Sequence, residues 1–157
     1  LGCSYVILGH SERRKIGETL EMVAKKVQSV LNVILVPVVC IGEKVEDEMD
    51  IILKEIKKAD IPKIIFVYEP SSAISTESNA KPVSAEQLAY ALDVMRGVLL
   101  KKAGKEIVQK TSILYGGSVN SKNVREFMEK GVQGALVGAV SLDAQEFIQL
   151  AKNAVSR

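Results

Sequence analysis

The chain contains one histidine, and it lies where an apolar run of strand length breaks into titratable residues: Tyr5-Val6-Ile7-Leu8-Gly9-His10-Ser11-Glu12-Arg13-Arg14. An imidazole and a carboxylate delivered together to the end of a buried parallel strand are equipped to move protons. In α/β folds the rim at the carboxyl ends of the strands is where chemistry is done. Taken alone, the segment is more often a satisfied loop histidine beside a solvated Ser-Glu-Arg-Arg turn. The ends of the other apolar runs change that weighting. They read Cys40-Ile41-Gly42-Glu43, Tyr68-Glu69-Pro70, Tyr115-Gly116-Gly117-Ser118-Val119 and Val137-Gly138-Ala139. The last two turns run directly towards helical segments, where backbone N–H groups and positive helix ends suit a phosphate dianion.

The elements that must position these residues alternate regularly. Short β-branched runs are expected as strands over 5–8, 37–41, 63–68, 112–115 and 135–137. Helical spacing of apolar residues predicts helices over 19–31, 45–59, 84–103, 120–130 and 143–155. The helix from Ser84 opens on a capping box with Gln87 and ends before Gly104. Strand–helix alternation at this pace means βαβ units and a parallel sheet, with all 157 residues in a single α/β domain. One long polar stretch, 71–81, lies between a strand and a helix, where an active-site loop belongs.

Composition narrows the function classes. Hydrophobic residues make up 47% and charged residues 25%, and 21 Lys+Arg against 19 Asp+Glu leave a net charge of +2. That balance gives no reason to invoke nucleic acid or an anionic membrane surface. No apolar run approaches the ~18 residues of a membrane span, and no leader segment is recognisable. Cys3 and Cys40 have no metal-type spacing and are read as reduced thiols of a cytoplasmic protein. Two distant cysteines and one histidine do not make a zinc site, so no metal is expected.

The order of the motifs resembles the triosephosphate isomerase family. Its hallmark segments appear as Gly9-His10-Ser11-Glu12-Arg13, Cys40-Ile41-Gly42-Glu43, Tyr68-Glu69-Pro70, Tyr115-Gly116-Gly117-Ser118-Val119 and Leu136-Val137-Gly138, spread over essentially the whole chain. The resemblance implies interconversion of dihydroxyacetone phosphate and D-glyceraldehyde 3-phosphate through an enediolate. It implies that Glu69 is the base, that His10 is a neutral electrophile and that Glu12 helps to position them. It places the substrate phosphate on backbone N–H groups near Ser75, Ser118, Gly138 and Ala139. No cofactor is implied. Independently of the resemblance, abstracting a proton next to a carbonyl needs a base and an oxyanion stabiliser.

The chain also departs from the family pattern. The family's lid reads Pro-Val-Trp-Ala-Ile-Gly-Thr-Gly; here it is Pro70-Ser71-Ser72-Ala73-Ile74-Ser75-Thr76-Glu77, without the tryptophan and both glycines. The usual Gly-Gly-Ala-Ser reads Gly138-Ala139-Val140-Ser141, which adds bulk beside the expected phosphate. A (β/α)₈ barrel takes roughly 250 residues and eight strands, whereas this chain reads as the last five. The family's first strand supplies an Asn and a Lys to the site, and no lysine here matches that motif. Losing one preorganised electrostatic group costs about 10²–10³ in rate.

Five strands form a partial TIM barrel, an open Rossmann-like sheet with helices on both faces, or a barrel completed by association. A homo-oligomer that buries the open edges is the expected state, with pairing to a separate N-terminal piece the other way to cover them. Two functions follow. One is an isomerase acting on a small phosphorylated triose. The other is a catalytically silent, self-assembling barrel fragment, and the isolated chain is expected to be weakly active or inactive.

Overall fold

The computed structural model describes residues 2–33, 35–70 and 83–155. Four strands, β1 (Tyr5–Leu8), β2 (Val36–Ile41), β3 (Ile65–Tyr68) and β4 (Ser112–Tyr115), form one sheet in the order β1-β2-β3-β4, every pair parallel. Parallel neighbours that are also consecutive in the chain need a crossover between each pair, and right-handed crossovers in unbroken order all pass on one side of the sheet. They carry α1 (Ser11–Lys15), α2 (Leu20–Leu31), α3 (Val45–Leu53), α4 (Ala85–Ala103) and α5 (Lys105–Lys110). After β4 come α6 (Val124–Glu129) and α7 (Ala144–Val155).

Strand side chains alternate between two faces. Leu8, Val39, Ile41, Phe66, Tyr68, Ile113 and Tyr115 point to the side that meets the helices. There they join Val23 and Val27 of α2, Met49 and Ile52 of α3, Leu88, Leu92, Met95 and Leu99 of α4, and Phe127 of α6. Those helix positions recur every three or four residues, the spacing of a single buried stripe. On the opposite face Val38, Cys40 and Val67 pack with Ile65, Leu114 and Leu136, and no helix residue joins them. Near the β1 edge Tyr5 and Ile7 are 62% and 52% exposed. Among the described residues the sheet is open and the helices cover one face, which fits a partial barrel rather than a Rossmann-like sheet.

The fifth expected strand, 135–137, is reduced to an isolated parallel bridge between Tyr115 and Ala135. Its backbone is held by Leu136 N–H to the Tyr115 carbonyl at 2.9 Å and Tyr115 N–H to the Gly134 carbonyl at 3.2 Å. Flanked by glycines and paired on one side only, the segment lacks the second neighbour that would extend the ladder. The helix expected over 45–59 stops at Leu53, and a 3₁₀ turn at Lys58–Lys63 containing Pro62 leads into β3. Thr19 caps α2 through the Met22 N–H, and Ser84 and Gln87 form the full capping box of α4. Gly104, at φ +93°, ends α4 as expected and starts α5 at the same residue, a short helix the sequence reading did not assign.

Candidate active site

Register decides which loops meet. Leu8 lies level with Val39, and Ile41 with Tyr68, so the residues leaving the ends of β1 and β3 converge over β2. Gly9, at φ +70°, turns the chain sharply after β1; a Cβ there would also press on Val23 at 3.2 Å and the Cys40 carbonyl at 3.3 Å. The turn leaves His10 as the N-cap of α1, its Nδ1 accepting the Glu12 N–H at 3.3 Å. A nitrogen that accepts carries no proton, so the proton of the neutral ring is on Nε2. That Nε2 donates to Glu69 Oε1 at 2.9 Å. The Glu12 carboxylate stands 3.9 Å from Nδ1, beyond hydrogen-bond range, and is 68% exposed. Glu12 therefore acts on the imidazole through its backbone.

Glu69 is only 5% exposed. Its Oε2 accepts the Ser11 N–H at 3.1 Å, and its own N–H donates to the Ile41 carbonyl at 2.7 Å. Burial pushes the Glu69 carboxyl above the ordinary value, outweighing His10, the Ser11 N–H, the Cys40 thiol and Arg14, which pull it down. Cys40 is buried beneath it, and burial together with the neighbouring Glu69 carboxylate drives its thiol far up.

A cavity of about 390 Å³ opens over this pair, lined by His10, Glu12 and Glu69 together with Gly116, Gly117, Gly138 and Ala139. Gly117 admits no Cβ, since one would fall 2.1 Å from the Tyr115 hydroxyl. Gly138 leads into a 3₁₀ turn, Ala139–Leu142, and its carbonyl accepts both the N–H and the hydroxyl of Ser141 at 2.9 and 2.7 Å. A helical start leaves its first N–H groups without internal acceptors, which suits an anion. Ser118 follows Gly117 but does not line this cavity; its carbonyl accepts from the Asn123 amide at 3.0 Å. Ser75, and the stretch 71–81 that holds it, lie outside the described residues. A larger cavity of about 780 Å³, bordered by α3 and α4, contains neither His10 nor Glu69, so size does not mark the site.

Two residues beneath the site went unnoticed in the sequence. The Arg14 guanidinium donates through Nε to the Gly9 carbonyl at 3.0 Å and through Nη2 to Glu48 at 2.8 Å. Glu48 in turn accepts the Gly42 N–H at 2.7 Å. The signal was there: α3 buries Val45, Glu48, Met49, Ile52 and Leu53, so a glutamate occupies a position on an apolar stripe. Among the described residues no group of three or more His, Cys, Asp or Glu side chains is placed to hold a metal ion, and no helix is long and apolar enough to cross a membrane.

Comparison with known proteins identifies the lineage. A family model described as triosephosphate isomerase matches residues 1–154. The triosephosphate isomerase of Dictyoglomus thermophilum is 39% identical over 98% of this chain and 66% of its own length. That of Corynebacterium diphtheriae is 36% identical over 99% of this chain and 64% of its own. For Saccharopolyspora erythraea the identity is 40%, over 96% and 62%. The chain thus spans just under two thirds of the length of these relatives. With a parallel half-barrel, its motifs in order and a match running almost from end to end, the chain belongs to the triosephosphate isomerase family.

Proposed function

We propose that this chain carries the proton-transfer half of an isomerase site for dihydroxyacetone phosphate and D-glyceraldehyde 3-phosphate. The observation that supports this most strongly is the His10–Glu69 pair, a neutral Nε2–H donor 2.9 Å from a buried carboxylate at the wall of an open cavity. In the substrate-free chain the two satisfy each other. A bound triose replaces that contact: its carbonyl oxygen takes the Nε2–H, and the Glu69 carboxylate is released towards the adjacent C–H. Glu69 removes the proton from C1 of the ketone, the C–H electron pair becomes the C=C bond of the enediolate, and the negative charge gathers on the oxygen facing His10. His10 gives its Nε2 proton to the C2 oxygen and takes the proton of the C1 hydroxyl in its place. Return of the carbon-bound proton from Glu69 to C2, with the C=C pair forming the C2–H bond and the O1 lone pair closing C1=O, gives the aldehyde. The family is itself the standard example of this division between a glutamate base and a neutral histidine.

Burial serves this role, because a carboxylate raised above its ordinary value is a stronger base. Glu12 supports the reading through its N–H, which holds the Nδ1 lone pair and thereby keeps the proton on Nε2. Backbone N–H groups around Gly138, Ala139, Ser118 and Ser75 are assigned to the phosphate, and the first two share the cavity with His10.

The second reading is a silent, self-associating barrel fragment. In its favour stands the sheet, which is open among the described residues. In either case the chain is assigned to a homo-oligomer, because the sheet face without helices and the β1 edge leave Tyr5 and Ile7 in water. A coupled assay of glyceraldehyde 3-phosphate isomerisation, run beside Glu69→Gln, separates the two. Activity that the substitution removes supports the isomerase; equal rates for both proteins establish the silent fragment.

A further inference from the structure

We infer that Arg14 and Glu48 form a positioning bridge that sets the distance between His10 and Glu69, an inference that rests on the isomerase reading for its kinetic consequence but not for its geometry. Each end of the bridge grips a peptide group that also belongs to a reacting residue. The Glu69 N–H donates to the Ile41 carbonyl at 2.7 Å. The same peptide unit presents the Gly42 N–H, which donates to Glu48 Oε2 at 2.7 Å. Glu48 Oε2 receives Arg14 Nη2 at 2.8 Å, and Arg14 Nε reaches the Gly9 carbonyl at 3.0 Å. That carbonyl belongs to the peptide whose N–H is His10. The backbone of the base and that of the electrophile are therefore joined by one chain of hydrogen bonds passing under the site.

The bridge is shielded, with the Arg14 and Glu48 side chains 24% and 9% exposed. A planar guanidinium suits the post, because its fork holds two acceptors at fixed directions where an ammonium would hold a point. Gly42 completes the fit: a Cβ there would lie 2.8 Å from Glu48 Oε1. The geometry differs from that of the surface pair Lys101–Glu46, whose side chains are 75% and 56% exposed.

The test exploits the single histidine, whose imidazole nitrogens give one unambiguous set of ¹⁵N resonances. The full chain is compared with Glu48→Gln, which keeps the shape and one acceptor but loses the charge, with Arg14→Lys, and with Lys101→Ala as the control. The bridge predicts a protonated Nε2 and an unprotonated Nδ1 in the parent chain. In both bridge variants it predicts a shifted or broadened Nε2–H signal, with a dispersed amide spectrum retained. The control leaves the signal in place. If the parent isomerises triose phosphate, kcat falls by about 10²-fold in the bridge variants, the cost of misplacing a reacting group by an ångström, while KM holds. An unchanged Nε2–H signal in folded Glu48→Gln and Arg14→Lys overturns the bridge. An inactive parent sinks the isomerase reading and leaves the imidazole spectrum to decide the bridge by itself.

Discussion

The two faces of the sheet are made by the same strands, one residue out of step, yet they hold the molecule together to different degrees. On one face Phe66, Tyr68, Ile113 and Tyr115 meet side chains from α2, α3, α4 and α6 in a continuous core. On the other, Val38, Cys40 and Val67 pack with Ile65, Leu114 and Leu136, and no helix residue joins them. The first face supplies the buried area that stabilises the fold. The second is the wall a closed barrel would fill, and it offers surface for assembly. The site lies where the two meet: Glu69 follows Tyr68 of the helix-side face, while the Cys40 beneath it belongs to the bare one.

The largest effect should come from the covered face. Phe66 is fully buried, and Phe66→Ala should cost about 3–5 kcal/mol by urea unfolding, a large share of the ~5–15 kcal/mol a domain holds. Val67, its neighbour in the chain, is just as inaccessible but faces the other way. Two methyl groups lost there carry a transfer cost of about 1–2 kcal/mol, and a bare face can relax or admit water instead of enclosing a void, so Val67→Ala should stay near that value. A Val67→Ala cost equal to that of Phe66→Ala would break the comparison, because it would mean the bare face is sealed.

Local signals foretold much of this division. The β-branched runs 5–8 and 112–115 became β1 and β4 at the expected residues, and Ser84 with Gln87 announced the start of α4. His10 and Glu69 could be paired because both follow strand ends, and parallel register turns equivalent positions into neighbours. What stayed hidden depends on distant partners. Helices as short as α1 and α5 exist because their surroundings hold them, since so few residues seldom stay helical alone. Residues 135–137 look like a strand, but the ladder needs a second neighbour that the described residues do not supply. Arg14 and Glu48 lie 34 positions apart, and only the fold brings them together.

A smaller effect sits at the seam. Burial raises the Glu69 carboxyl in the folded chain, so its neutral form is favoured there. The stability this contributes is fully present below the unfolded value and is lost as pH rises through the raised folded one. The parent should therefore lose ground to Glu69→Gln as pH increases through and above the carboxylate range. Tm measured for both proteins from pH 4 to 8 tests the sign. A parent that gains on the variant with rising pH would mean that His10, Ser11 and Cys40 overcome burial. If the chain is active, the rising limb of its kcat/KM profile should lie above the ordinary carboxyl range for the same reason.

The smallest change in stability, and the sharpest test of the comparison, is expected at Ile7. Its side chain is 52% exposed on β1, so Ile7→Ser removes little buried area and should alter the unfolding free energy by no more than about 0.5 kcal/mol. If the bare face and the β1 edge are where copies meet, the same substitution should shift the mass seen by light scattering towards the monomer, and Tyr5→Ser, 62% exposed on the same strand, should act likewise. Stability and assembly would then separate along the two faces, with Phe66→Ala unfolding the chain and Ile7→Ser dispersing it. A parent chain that is already a monodisperse monomer at high dilution would refute the homo-oligomer and leave Tyr5 and Ile7 of β1 in water.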